Sequence, residues 1–146
     1  MNGLRMSSPA RRQQGFTLIE VMIVVAILGI LATLVVINVA GNTDKAMIAG
    51  TKSDLQAISQ ALDLYKLDNF KYPTTEQGLE ALVVKPENAR NWPQGGYLKK
   101  VPKDKWGNPF VYISPGQNGP YDLYSLGSDG AEGGEGTAAD ISVHDL

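Results

Sequence analysis

Of the 22 residues from position 16 to position 37, only Thr17, Glu20, Gly29 and Thr33 are not apolar. As an α-helix at 1.5 Å per residue such a block is about 33 Å long, which matches the thickness of a bilayer core. Taking it out of a chain of 146 residues leaves enough for one small folded body and not for two. Residues 1–15 contain Arg5, Arg11 and Arg12 and no acid, while the rest of the chain carries 10 basic and 15 acidic side chains. Positive charge on the N-terminal flank holds that end in the cytoplasm and sends the acidic C-terminal body across the membrane. The pattern predicts one transmembrane helix, N-in and C-out.

Composition removes several functions. There is no cysteine, so disulfide frameworks, thiolate zinc sites and thiol nucleophiles are excluded. The one histidine, His144, lies two residues from the C-terminus and reads as a solvent-exposed terminus rather than a ligand. A net charge of −2 without a basic patch in the body argues against nucleic acid. No nucleophile–base pair, phosphate loop or metal-hydrolase motif appears, so a membrane-anchored enzyme has no residues to stand on.

A secretory signal would be shorter and would end in a small-residue cleavage site, and residues 32–40 supply only poor substitutes for one. The small residue that stands out is Gly15, on the charged side of the block. Cleavage after it would remove the basic leader, leave the helix on the product and give Phe16 a free α-amine. Glu20 lies five residues into the block, where a carboxylate near the centre of a membrane helix costs ~2.5–3.5 kcal/mol. Two readings stand: the carboxylate reaches the headgroups and has no task, or it pairs with the amine of a neighbouring chain.

The segment Arg12-Gln13-Gln14-Gly15-Phe16-Thr17-Leu18-Ile19-Glu20-Val21-Met22 resembles the class III signal of type IV pilins and pseudopilins. That resemblance implies a prepilin peptidase that cuts between Gly15 and Phe16 and N-methylates Phe16. It also implies that Glu20 directs subunit assembly. Residues 1–15 are then a leader, 16–37 a transmembrane and assembly helix, and 38–146 a periplasmic globular domain.

Past the membrane the helix is expected to continue. Between Asp44 and Asp68 there is no proline, and Ile48, Leu55, Ile58, Leu62 and Tyr65 fall on one face. Gly41-Asn42 and Gly50 weaken the join, so a kink or softened turn is expected around residues 38–43. Thr74-Thr75-Glu76-Gln77 fits a capping box before a short second helix carrying Leu79, Leu82 and Val83. Residues 110–113 and 121–126 read as two strands joined through Pro115-Gly116-Gln117-Asn118-Gly119-Pro120, with a third short strand expected at Tyr97-Leu98-Lys99. The fold class is α+β: a long N-terminal helix packed on a small antiparallel sheet.

Residues 126–140 hold five glycines and four acids, Asp129, Glu132, Glu135 and Asp140. A flexible acidic segment and a loop that holds a hard cation both fit that composition. Ca²⁺ accepts 6–8 oxygen ligands in irregular geometry, although the EF-hand spacing is not met.

Four further segments, 61–69, 72–82, 106–110 and 126–130, are similar to the major pseudopilins of bacterial type II secretion systems, the family of general secretion pathway protein G. The match runs from Gly15 to about Ile141 and implies a type IV pilin-like fold. It implies a structural subunit of the inner membrane that polymerises into a helical periplasmic pseudopilus driving export of folded proteins. The implied partners are other copies, minor pseudopilins, the prepilin peptidase and an inner-membrane assembly platform. It implies Ca²⁺ held by the carbonyls of Leu126 and Ser128 and the carboxylates of Asp129 and Asp140, and an ion pair between Asp63 and Lys99 of different subunits. Two departures are the absence of a proline at Ile37 and a C-terminus that ends differently from many relatives. The alternative is an adhesive or motile type IV pilin. Such pilins commonly close a C-terminal loop with a disulfide, which this chain cannot form.

Overall fold

The computed structural model describes residues 15–146, without the side chains of residues 35–40. The leader, apart from Gly15, therefore lies outside the described residues, as do the side chains at the end of the apolar block. The chain divides into two bodies, one extending to Ala40 and the other Gly41–Leu146. One helix, α1 (Leu18–Asn69, 52 residues), contributes to both. Its backbone is assigned as helix through 38–43.

In the first body every described side chain from Gly15 to Leu34 is exposed. The apolar residues occupy all sides of the helix, with Val21, Val24, Ile27 and Leu31 no more than half covered. Thr33 donates its hydroxyl to the Gly29 carbonyl (3.0 Å), so the polar group inside the apolar run is satisfied locally. Among the described residues no helix is long and apolar enough to cross a membrane. The described side chains stop at Leu34, three residues before the apolar block ends.

The second body holds the core. Leu55, Ile58, Leu62 and Tyr65, all fully buried, form one face of α1 at helical spacing, with Ile48 half-buried at its edge. They pack on Leu79 and Leu82 and on Phe110, Tyr112, Tyr121, Leu123 and Ile141. The stripe read from the sequence is the stripe that is buried. The Lys105 side chain lies over Gly50 and meets Asp54 at 2.7 Å.

The sheet has three antiparallel strands in the order β1 (Val111–Ile113), β2 (Asp122–Ser125) and β3 (Ile141–Ser142). Tyr112 lies opposite Leu123, and Ser125 opposite Ile141. The third strand is not at 97–99. There the amides of Tyr97 and Leu98 both donate to the Leu82 carbonyl (2.8 and 3.0 Å). Gly95 and Gly96 at positive φ turn the chain out of the extended conformation just before them. The Tyr97 ring is held by Tyr65 and Trp92 and its hydroxyl by Asp68 (2.7 Å), so packing against α1 replaces a ladder.

The capping box forms reciprocally. The Thr74 amide donates to the Gln77 side chain (3.0 Å) and the Gln77 amide to the Thr74 hydroxyl (3.3 Å). It closes a turn rather than a helix. Gly78 at φ 59 breaks the chain before a single 3-10 turn at Leu79–Leu82, where the sequence suggested a longer second helix.

Candidate functional site

Three regions carry the residues singled out from the sequence. At the start of α1 the Thr17 amide and hydroxyl both donate to the Glu20 carboxylate (2.9 and 3.1 Å), and the Glu20 amide donates back to the Thr17 hydroxyl (3.3 Å). This is a capping box, with Thr17 at the cap and Glu20 three residues on. Thr-Leu-Ile-Glu before an apolar run is its signature in the sequence, masked there by the carboxylate's place in an apolar block. Glu20 thus has a task in its own chain that neither earlier reading supplied. Gly15 and Phe16 precede the helix, and Phe16 is 89% exposed.

The second region is the face around Asp63. Asp63 accepts the Tyr72 hydroxyl at 2.8 Å. Burial, and then this carboxylate, push the Tyr72 phenol up to about 12. Lys99 is exposed in the segment after Tyr97, and among the described residues it forms no ion pair with Asp63 within the chain.

The third is the loop 126–140. It joins β2 to β3, and the pairing of Ser125 with Ile141 brings Leu126 and Asp140 to the same mouth. The loop is folded rather than extended. Gly127 (φ 67) lies against the backbone of Ala138 and Ala139, where a Cβ would meet three atoms at 2.8 Å. Asp129 accepts the Ala131 amide (3.1 Å) and Asp140 the Gly133 amide (3.0 Å). Each carboxylate uses one oxygen in this way, and the other accepts no hydrogen bond among the described residues. Ser128 donates to Thr137 across the loop (3.3 Å). Among the described residues no three acidic or histidine side chains form a cluster that would hold a metal ion. A cation in this loop would have to use the two carboxylates together with backbone carbonyls.

The loop's entry is fixed by residues the sequence analysis did not name. Asp104, 4% exposed, accepts the amides of Trp106 (3.1 Å) and Asn108 (2.8 Å) and the Ser125 hydroxyl (2.7 Å). Ser125 in turn accepts the Gly127 amide (3.1 Å), and the Asn108 side chain donates to the Gly127 carbonyl (3.0 Å). At the exit, Ser142 caps a 3-10 turn at Val143–Asp145. This turn brings His144 to 3.3 Å from Asp122, while His144 stays exposed, as expected of it. The amides of Gln117 (2.7 Å) and Asn118 (3.4 Å) also bind Asp122, and chiefly the Gln117 contact holds its carboxyl below its ordinary value, against the opposing effect of burial.

Two family models match the chain one after the other: the prokaryotic N-terminal methylation motif over residues 10–36, and type II secretion system (T2SS), protein G over residues 38–144. The chain belongs to the type II secretion system protein G family. It is 59% identical to the type II secretion system core protein G of Pseudomonas aeruginosa over 138 residues, covering 92% of this chain and 97% of that one. It is also 59% identical to the Vibrio cholerae protein of the same name, covering 90% and 91%. The crystal structure of the major pseudopilin from the type 2 secretion system of enterohaemorrhagic Escherichia coli superposes with a TM-score of 0.64 at 45% identity, over 75% of this chain and 96% of that chain. As a protein G family member the chain is a pseudopilin with the pilin-like fold, and the type IV pilus reading falls away.

Proposed function

We propose that this pseudopilin is a structural, non-catalytic subunit that polymerises from the inner membrane into a periplasmic filament serving the export of folded proteins. One observation carries the reading: a helix apolar on every described side is exposed along its length among the described residues. Such a helix belongs in lipid or among copies of itself. Its match to the N-terminal methylation motif supports cleavage between Gly15 and Phe16 and methylation of the new terminus. Other copies are the first partners, joined by minor pseudopilins, the peptidase and an inner-membrane platform. A head-to-tail contact that does not close on itself produces an open helix.

Within that assembly Glu20 pairs with the Phe16 amine of a neighbour, and Asp63 of one subunit with Lys99 of the next. The loop 126–140 is a Ca²⁺ site formed by the Asp129 and Asp140 carboxylates and the Leu126 and Ser128 carbonyls. The donor chemistry fits, since all are hard oxygens and each carboxylate has an oxygen to spare. The bound ion would neutralise the repulsion among the loop's acids. Asp129 and Asp140 would hold it between the first turn and the last residue of the loop.

The test is expression in cells that carry the peptidase and platform, with mass spectrometry of the mature chain and microscopy of the filaments. An N-methylated Phe16 terminus and filaments that depend on Glu20 are expected. A chain that retains Arg12 and stays monomeric would sink the reading.

A further inference from the structure

At the end of α1 the chain does something costly. Phe70 adopts φ 64, the left-handed region that glycine and asparagine occupy readily and a bulky side chain does not. The strain is not offset by burial, since Phe70 is 75% exposed and its neighbour Leu67 is 72% exposed. Together with Asp63, Lys66 and Tyr72 they line an open groove of about 440 Å³. Asp63 and Asp68 each accept one tyrosine hydroxyl, from Tyr72 and Tyr97, and Asp63 stays exposed at the groove's edge. The bases are presented outward, with Arg90 over the Phe70 ring at 5.5 Å and Lys66 over the Tyr72 ring at 4.8 Å. It is an aromatic knob flanked by two bases, Lys66 and Arg90, and by the acid Asp63.

Elsewhere on the same body lies its complement. An open groove of about 340 Å³ has an apolar floor of Leu79, Val101, Pro109 and Phe110, and Glu76 and Glu80 on its rim. Both acids are exposed, and Lys99 stands two residues before Val101.

We propose that Phe70 and Leu67 of one copy seat in the Leu79–Val101–Phe110 groove of the next copy, with Arg90 and Lys66 facing Glu80 and Glu76. This deepens the assembly proposed above and rests on it. Charge complementarity selects a second copy as the occupant. The same docking brings the side of α1 that bears Asp63 to the segment that bears Lys99. Because knob and groove are different patches, the contact is head-to-tail and repeats without closing. It also explains the left-handed aromatic, whose exposed surface is buried by the neighbour.

The chain has no cysteine, which makes the test direct. Full-length chain carrying both Phe70→Cys and Val101→Cys is expressed with the secretion assembly, and membranes are treated with a short bis-maleimide. A ladder of multimers is expected from the double variant and no product from either single variant. Phe70→Asn suits the left-handed backbone and removes only the knob; it should melt no lower than the parent and lose filaments. Arg90→Glu and Glu80→Lys should each cut filament yield about tenfold and together restore it. Filaments without a ladder would overturn the docking and leave the assembly reading intact, as would a dimer from Phe70→Cys alone. Absence of filaments from the unmodified chain would overturn both.

Discussion

Glu20 sits between two demands. In the isolated chain its carboxylate accepts both donors of Thr17, and in an assembly it is the partner proposed for a neighbour's Phe16 amine. A glutamine can complete a capping box but cannot neutralise an ammonium. Glu20→Gln is therefore expected to leave the start of α1 helical in detergent and still abolish filaments. Glu20→Ala should lose filaments and also the cap, worth about 1 kcal/mol. Circular dichroism and filament counts on the pair separate the two roles, and normal filaments from Glu20→Gln would show that the charge is dispensable. Another residue tests the opposite case. Tyr65 is fully buried and its hydroxyl has no hydrogen-bond partner among the described residues, so Tyr65→Phe removes an orphaned polar group. That change is expected to be neutral or to stabilise by up to ~1 kcal/mol, whereas loss of several degrees in Tm would reveal a partner for the hydroxyl. Asp122 supplies the pH dependence. Its carboxyl is held low in the folded state, so its contribution is fully present above the ordinary carboxylate value and is lost as pH falls through the lowered folded one. Asp122→Asn should therefore flatten the acid limb of a Tm–pH curve and leave its neutral and alkaline shape unchanged.

Elements differ in how far the sequence foretells them. The buried face of α1 was legible because five residues at helical spacing report a single packing surface, and each of them proved buried or half-buried. β1 and β2 were legible, to within a residue or two at their ends, from aromatic and β-branched runs flanking a Pro-Gly turn. β3 was not, because two residues, Ile141 and Ser142, carry no periodicity, and only closure of the preceding loop sets them beside β2. The same holds for the hydrogen bonds at the loop's entry. Asp104 and Ser125 are 21 positions apart, and neither stands in a motif that announces the other. Ser125→Ala would leave a buried Asp104 oxygen and the Gly127 amide without their partner. A destabilisation of about 1–3 kcal/mol is expected, seen as a fall of several degrees in the Tm of the body Gly41–Leu146. The loop itself is where residue types foretold a role without a geometry. If it holds Ca²⁺, a hundredfold excess over Kd adds about 2.7 kcal/mol of stability to that body. Chelator should reverse the gain, and Asp129→Ala or Asp140→Ala should remove it. A melting curve indifferent to Ca²⁺ would count against the site.

At the scale of the molecule, the two bodies differ in whether they bury their own apolar surface. Every residue of the hydrophobic core lies between Leu55 and Ile141, inside Gly41–Leu146. The described residues of the other body expose apolar surface on all sides of a helix, and none of them is buried. At ~25 cal/mol per Å² of apolar surface removed from water, a helix of this kind gains nothing until lipid or other copies cover it. Removing residues 1–40 should therefore leave the head folded and soluble, with a cooperative melt and retained Ca²⁺ response, while abolishing membrane retention and filaments. Placing a charge on the apolar helix, as in Val24→Lys, should have the same divided effect, since a lysine at the centre of a membrane helix costs ~2.5–3.5 kcal/mol and touches nothing in the core. Membrane fractionation and thermal melts of the two variants beside the full chain measure both halves of the expectation. A truncated head that failed to fold would mean that the two bodies depend on each other energetically, and a lysine variant that still assembled would mean that assembly does not need the helix's apolar surface.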